Sequence, residues 1–444
     1  MFSYSSLTSL RADIEARYRA LTPESARLAR KAAGVLPGGS TRDTVQRRPH
    51  PPYLRGGSGG RVRDADGREL VDLWFNATAL PLGHADARVA AAVAPWLTHG
   101  SSFYAPIGLE IDLAREIRRR LPSAERVRFT NSGTEAVMLA ARIARAFTGR
   151  RVVAKFEGSY HGSWDDVAWS VGPSGDRMGA PSAPSPVAAT GGLAGHGGRV
   201  LVLPFNDLEA TARLVERHAS ALAALLVEPV PNRMGLVQPR PGFLQGLRDL
   251  CDRLGVLLVF DEIIAFRLGY HGAQGLAGVA PDLTTLGKLI GGGFPVGAVA
   301  GRAEVMAVTE PDRPDRVAHA GTFTANPVTM AAGLATLEAW TPEAIDGLNA
   351  EGERLRGELR RVFDGVPLQV SGAGSLFKIC ATPDEIVDHR TSLAADAEWE
   401  DLASLALLNE GFFLTPRLHG CLSTVTARED VDRFVETVAA LIRV

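Results

Sequence analysis

Five short apolar runs, each bounded by turn residues and followed by a stretch of helical pattern, constrain this 444-residue chain more than any other feature. They are "RVRFT" (126–130), "RVVAKF" (151–156), "RVLVLPF" (199–205), "AALLVEPV" (223–230) and "VLLVFDEII" (256–264). Runs without polar alternation belong to strands buried on both faces, the condition of a mainly parallel sheet covered by helices on either side. The centre of the chain is therefore α/β. From about Asn326 onward, helix-patterned stretches ("MAAGLATLEAW", "AIDGLNAEGERLRGELRRVF") alternate with short strands ("SLFKICA"), the pattern of a second, smaller α+β domain. The expected division is an N-terminal segment, 1–70, a large domain, 71–325, and a C-terminal small domain, 326–444. The stretch from Val171 to Gly198, rich in Gly, Pro, Ser and Ala, is expected to lack regular structure and to act as an active-site lid.

The formal charge of −2 and the pI near 6.6 give no electrostatic reason to expect nucleic acid or an anionic membrane as partner. The densest basic run, "REIRRR" (115–120), is read as a solvated helix face. Cys251, Cys380 and Cys421 lie far apart, without the spacing of a disulfide framework or a zinc site, so no metal is expected. The first 25 residues hold no apolar run long enough for a secretory h-region and nowhere do eighteen apolar residues follow one another, so a cytoplasmic location is the expectation. Trp74, Phe75, Phe103 and Tyr104 are taken as core.

The chemistry begins at "RFTNSGTEAVMLAARIARAFTGR" (128–150), where a strand runs into Asn131, Ser132, Gly133 and Thr134 and a helix follows. Ala136, Leu139, Ala140, Ile143, Ala144 and Phe147 recur at helical spacing and predict one buried face. The first turn of that helix presents unpaired N–H groups, two hydroxyls and a glycine, which together make either a phosphate cradle or a simple helix cap. Other phosphate-binding motifs fail. At Gly287–Lys288 the positions that a P-loop requires hold Asp282 and Leu289, while "GGSGGR" (56–61) and "SGAGSLF" (371–377) stand in the wrong places for a dinucleotide fingerprint.

Asp261 closes an apolar strand, where a carboxylate needs a partner. An ion pair with Arg267 or a helix cap would satisfy it, but strand C-termini of an open α/β sheet also line the ligand crevice. Lys288 follows at the start of a glycine-rich turn, in a chain with only three other lysines, Lys31, Lys155 and Lys378, among 48 basic residues. Where positive charge alone is needed this composition uses arginine, so a retained lysine suggests primary-amine chemistry. A lysine that forms a Schiff base, an acid that keeps a pyridine nitrogen protonated and a helix start that holds a phosphate are the three demands of pyridoxal 5'-phosphate.

With those residues in view, the chain resembles the class III aminotransferases of the fold-type I pyridoxal phosphate enzymes. "NSGTEA", "KFEGSYHG", "PFNDLEA", "GFLQGLR", "FDEI", "GAQG", "DLTTLGKLIGGGFPVGA" and "HAGTFTANPVTMAAG" occur in the family's order over about residues 34–340. The resemblance implies a large domain with a mainly parallel seven-stranded sheet and a small domain built from both ends of the chain. It implies that Lys288 carries the cofactor, that Asp261 meets the pyridine nitrogen, and that Tyr160 and Ile263 pack on the two faces of the ring. It implies that Ser132, Gly133 and Thr134 hold the phosphate, that Glu228 supports the site, and that Thr322 reaches the cofactor phosphate of a second subunit, hence a homodimer with shared active sites. His161 is expected to be a hydrogen-bonded scaffold residue.

Within the family, Arg42, Thr78 and Arg417 look like the substrate residues of β-amino-acid aminotransferases such as β-phenylalanine aminotransferase, where one arginine serves the β-amino acid and the other the 2-oxo acid. Glutamate-1-semialdehyde aminomutase resembles the chain at Arg42 but lacks an arginine at Arg417, and its tryptophan before "LGH" is Ala77 here. The resemblance thus implies a ping-pong aminotransferase acting on a carboxylate-bearing β-amino acid or amine with a 2-oxo acid such as 2-oxoglutarate. The aminomutase is the alternative, followed by a racemase or decarboxylase on the same scaffold and by a non-catalytic α/β protein that binds a phosphorylated ligand.

Overall fold

The structure, a computed structural model, describes Leu7, residues 9–189 and residues 197–443. The chain forms two units, one of Ala87–Asp346 with Ile386–Leu393 and the other of Met1–Asp86, Gly347–Glu385 and Ala394–Val444. The boundary near 346 lies beyond the expected 325. The helix Pro327–Ala339 belongs to the first unit because Val328 and Ala332 share an apolar cluster with Val93 of the helix Ala87–His99.

The first unit is built on seven strands: β1 (Arg126–Thr130), β2 (Val152–Phe156), β3 (Val200–Leu203), β4 (Leu222–Val227), β5 (Leu257–Asp261), β6 (Leu283–Gly287) and β7 (Gly297–Gly301). Their order in the sheet is β1-β7-β6-β5-β4-β2-β3. All neighbours are parallel except β7, which runs antiparallel to both β1 and β6. Central strands β4 and β5 are buried at every position, as unalternating apolar runs require. One face is covered by a cluster that includes Phe156, Phe205, Phe243, Leu247 and Leu250, the other by helix α1 (Gly133–Thr148) with Ala136, Leu139, Ala140 and Ile143. Phe147, expected on that buried face, is exposed near the end of α1, and Val137 and Ala141 are buried instead.

Two further expectations change, one on a helix face and one in a loop. In "REIRRR" Arg120 is buried, because its guanidinium reaches Glu116 at 2.7 Å and the Trp340 carbonyl at 2.9 Å. The stretch expected to be an irregular lid carries a small ladder, Gly179–Ala180 against Ala183–Pro184. Arg390 pins it by donating to the carbonyls of Gly179 and Met178 while bridging to Glu157, and His389 Nε2 lies 2.8 Å from the Pro173 carbonyl oxygen. Residues 190–196 of that stretch lie outside the described residues.

The second unit contains a three-stranded sheet formed by Gln369–Ser371, Leu376–Cys380 and His419–Cys421. A four-stranded sheet takes three strands from residues 54–72 and its last, Phe412–Phe413, from the C-terminal region. Phe75 is buried, whereas Phe103 and Tyr104 are exposed and depart from the core expectation. The three cysteines are buried, and no disulfide joins them. No helix among the described residues is long and apolar enough to cross a membrane.

Candidate active site

The carboxyl ends of β1, β2, β4, β5 and β6 place most of the sequence-predicted site residues in one unit. Ser132 ends the β1 segment in extended conformation and caps α1, its Oγ accepting from Glu135 N at 3.2 Å. Glu135 in turn accepts from Asn131 N at 2.6 Å, which closes the turn on itself. The N–H groups of Gly133 and Thr134 remain at the positive end of the helix dipole. Two glycines shape this corner. A Cβ on Gly133 would stand 2.6 Å from Ile263 Cδ1, and one on Gly162, whose φ is +96°, would stand 2.5 Å from Thr134 Oγ1. Ile263 also lies 3.5 Å from where a Cβ on Gly287 would be, so it fills the space between the start of α1 and the lysine turn.

Asp261, at the end of β5, is buried. Its Oδ1 accepts from Ile263 N at 3.2 Å, and its Oδ2 lies 2.8 Å from His161 Nδ1. A carboxylate is acceptor-only when ionised, so this contact sets the imidazole proton on Nδ1. His161 thus stands as a scaffold for Asp261. Beside Asp261 across the ladder is Thr285 of β6. Among the described residues, the buried His161 Nε2 and Thr285 Oγ1 have no hydrogen-bond partner.

Lys288 follows β6 directly and opens the short turn Lys288–Gly291 with φ +49°, a left-handed conformation unusual for a residue with a Cβ. Burial pushes its amine below the ordinary lysine range, against the opposing pull of Asp261 and Glu228. Burial likewise raises the Glu228 carboxyl, helped by the charge of Asp261 and resisted by His161 and by N–H donation from Tyr160 and Asn232. Glu228 Oε2 accepts from Tyr160 N at 3.0 Å, joining the ends of β4 and β2. Tyr160 is 40% exposed. Arg233, which sequence reading passed over, holds its guanidinium carbon 4.4 Å from the centroid of the Tyr160 ring. Its only signal was its place five residues after Glu228.

Thr322 is exposed, in a turn tied to the α1 start by a 3.2 Å hydrogen bond from Asn131 Nδ2 to Thr324 Oγ1. The remaining three candidates lie in the other unit. Phe75, Asn76, Ala77 and Thr78 have φ of +47°, +49°, +58° and +71°, a left-handed run anchored by Asp72 Oδ1, which accepts from the N–H of Trp74 and Phe75. Arg42 Nη1 donates to Asn76 Oδ1 at 3.2 Å, which connects Arg42 to the run that ends at Thr78. Arg417 precedes Leu418, another non-glycine with positive φ, and donates through Nε to Glu400 Oε2 at 2.7 Å. Strained left-handed residues thus stand at two of the candidate positions, Lys288 and Thr78, and next to a third, Arg417.

The first-unit residues fit pyridoxal phosphate on three observations. The glycine-lined corner at α1 has N–H groups for a phosphate, two orphaned polar atoms flank Asp261, and a buried amine and a buried carboxylate stand at the ends of adjacent strands. Among the described residues no group of three or more acidic, histidine or cysteine side chains could hold a metal.

Comparison with known proteins follows the same line. A family model described as aminotransferase class-III matches residues 45–409. An omega-transaminase from Sphaerobacter thermophilus superposes with a TM-score of 0.91 at 46% identity, covering 95% of this chain and 97% of its own. A beta-phenylalanine aminotransferase from Variovorax paradoxus superposes with a TM-score of 0.89 at 36% identity, covering 98% and 97%. A glutamate-1-semialdehyde 2,1-aminomutase 2 from Geobacillus kaustophilus is 40% identical over 397 residues, 89% of this chain and 90% of the relative.

Proposed function

The chain belongs to the class-III aminotransferases, pyridoxal-phosphate-dependent enzymes of fold type I, and from that premise we propose a ping-pong aminotransferase for a carboxylate-bearing amino acid, a β-amino acid foremost, with a 2-oxo acid such as 2-oxoglutarate as acceptor. The observation that carries this reading is the pair of groups at the carboxyl ends of adjacent strands: Lys288 after β6, its amine depressed by burial, and Asp261 on β5, bonded to His161. When bound, pyridoxal phosphate supplies an aldehyde that condenses with amines and a ring that accepts the electrons of a broken bond.

The protein's part is to bind, orient and move protons. Ser132, Gly133 and Thr134 hold a phosphate at the start of α1. Asp261, fixed by His161, keeps negative charge where a protonated ring nitrogen needs it, and Tyr160 and Ile263 confine the ring. Glu228 holds Tyr160 by its backbone. Lys288 Nζ, uncharged more readily than an exposed lysine, takes a proton from the substrate carbon and returns it elsewhere. Arg42 and Arg417 bind substrate carboxylates, with Thr78 beside the first. Two arginines suit an enzyme that seats two acids in turn.

We further propose a cytoplasmic homodimer in which Thr322 reaches the cofactor phosphate of the second subunit. The exposed aromatic side chains Phe103, Tyr104 and Phe323 in the large unit support a covered surface there. The second reading is glutamate-1-semialdehyde aminomutase, favoured by the 40% identity to relatives of that name.

The test is the visible spectrum of the purified enzyme with α-amino acids, β-amino acids and simple amines, no oxo acid present. Bleaching of the cofactor band by a donor and its return on adding a 2-oxo acid establishes transamination and names the donor class. No stable half-reaction, with 5-aminolevulinate formed from glutamate semialdehyde alone, establishes the mutase. Replacing Lys288 by Ala or Arg should abolish turnover, and full activity in either variant would sink the mechanism.

A further inference from the structure

Lys378 and Arg417 share one carboxylate. Glu400, on the helix Ala397–Asn409, is fully buried. Its Oε1 accepts from Lys378 Nζ at 2.8 Å and from Ala381 N at 3.3 Å, and its Oε2 accepts from Arg417 Nε at 2.7 Å. Lys378 sits on the strand Leu376–Cys380 and is itself buried, whereas the Arg417 side chain is 44% exposed. A buried acid with a single basic partner would be neutralised and would neutralise it in turn. Here two cations meet one anion, and the excess positive charge belongs to the only exposed member.

Glu400 engages Arg417 through Nε alone, and among the described residues neither Nη donates a hydrogen bond. The Nη1–Nη2 edge, the fork that matches a carboxylate, is therefore left over. One turn further along the same helix Ser404 Oγ accepts from Arg47 at 2.6 Å, and the Leu414 carbonyl, just after the strand Phe412–Phe413, accepts from Arg47 at 2.8 Å. The exposed Asp401 faces both Arg47 and Arg417, so that acid is shared and does not cancel Arg417.

We propose that Glu400 and Lys378 are positioning residues for Arg417: Glu400 fixes the guanidinium by its Nε edge, and Lys378 offsets the charge of Glu400 so that the free edge keeps full attraction for a substrate carboxylate. This rests on the reading of Arg417 as a carboxylate ligand. It also accounts for lysine rather than arginine at 378, since a compact ammonium fits a buried strand position where a planar fork would not.

The test compares Lys378→Met, the double variant Lys378→Met/Glu400→Gln, and Arg417→Ala in the holoenzyme. The readouts are KM and kcat for the amino acid, the 2-oxo acid and a carboxylate-free amine, and the Kd of glutarate, which is not turned over, by calorimetry. Lys378→Met leaves Arg417 neutralised by Glu400 and should raise KM for the carboxylate substrate that Arg417 serves, and the glutarate Kd, by about tenfold. Its kcat and its use of the carboxylate-free amine should stay within about twofold. Adding Glu400→Gln frees the charge of Arg417 again, so the double variant should recover part of that loss, the opposite of what a purely structural cluster would do.

A double variant no better than Lys378→Met, or an unchanged KM in Lys378→Met while Arg417→Ala raises it, overturns the proposal and leaves the carboxylate-ligand reading intact. Unchanged KM values in Arg417→Ala overturn that reading itself. If Lys378→Met does not fold, the double variant, which loses one charge of each sign, decides against wild type: a raised KM supports the positioning role and a wild-type KM overturns it.

Discussion

Replacing Gly162 by Ala tests the phosphate corner directly. At φ +96° a residue with a Cβ is strained, at a cost of about 1–2 kcal/mol. The new methyl would also stand 2.5 Å from Thr134 Oγ1, 2.8 Å from its Cα and 2.9 Å from its Cβ, and two of these atoms cannot swing aside. Overpacking of this kind costs about 1–3 kcal/mol, while the stiffer unfolded chain returns only about 0.4–1 kcal/mol. The apoenzyme should therefore lose about 2–4 kcal/mol, a drop of several degrees in Tm. If Thr134 and its N–H hold the phosphate, its displacement removes at least one charge-assisted hydrogen bond, worth about 1.5–3 kcal/mol, so the cofactor Kd should rise about 10–100-fold. Gly278→Ala is the control, because Gly278 has φ +65° but nothing within 4 Å of its would-be Cβ. It carries the backbone strain without the clash and should leave cofactor affinity alone. Fluorescence titration of apoenzyme with cofactor, with thermal unfolding of both variants, measures each quantity. A Gly162→Ala enzyme that loses stability but binds cofactor as tightly as wild type would refute Thr134 as a phosphate ligand; one unchanged in both would refute the packing argument.

Asp261→Asn should slow the amino-donor half-reaction by about 10²–10⁴-fold in stopped-flow absorbance, whereas His161→Phe, which removes only the support of Asp261, should slow it less; equal losses would make His161 more than a scaffold. Lys155 is buried, its amine donating to the carbonyls of Ser159 and Trp169, and burial pushes its pKa down to about 7. Between pH 7 and about 10 the unfolded chain then binds the proton that the native lysine has lost, so Lys155 contributes stability that grows as pH rises. The stability difference between wild type and Lys155→Met should shift in favour of wild type from pH 7 to 9 in urea melts, and a constant difference would show that Lys155 does not titrate there.

Much of the fold could be read from hydrophobic runs, because β2 to β5 present the near-continuous burial that a doubly covered sheet demands, whereas the edge strand β1 carries two arginines. β6 and β7 could not. "LTTLG" and "GAVAG" hold too few large apolar residues to register as strands, and their place is set by pairing with β5 and β1. Gly297 is forced by its neighbours: a Cβ there would collide with the Ser132 carbonyl and Thr130 Oγ1. The phosphate corner was legible at Ser132–Thr134 as a strand-to-helix turn, but Gly162 was not, since only the folded chain brings it against Thr134. In the same way Asp261 could be singled out as a buried acid, while its partner, His161, lies a hundred residues earlier and has no local signal. The second unit was least legible, because its left-handed run at 75–78 contains no glycine to announce it.

Lysine is rare in this chain, and the structure narrows what that rarity means. Of the four lysines only Lys31 is exposed; Lys155 and Lys378 are buried and make hydrogen bonds that need no amine chemistry. Arginine has taken over the exposed positions, where charge suffices. Lysine has survived where a slender stem must deliver a compact donor into packed surroundings. Scarcity therefore selects for burial, and chemistry has to be argued from the neighbours. Lys155 meets two carbonyls, which satisfy an amine and give it nothing to do. Lys378 meets a carboxylate already shared with Arg417, which keeps its amine occupied. Among the described residues Lys288 alone of the four joins a half-buried side chain and a desolvated amine to a left-handed backbone at a strand's carboxyl end, where Asp261 and Glu228 bear on its charge and no hydrogen bond holds it. An amine that is buried, depressed and uncommitted is the one free to form and release a bond, and that combination is the physical basis for assigning the chemistry to Lys288.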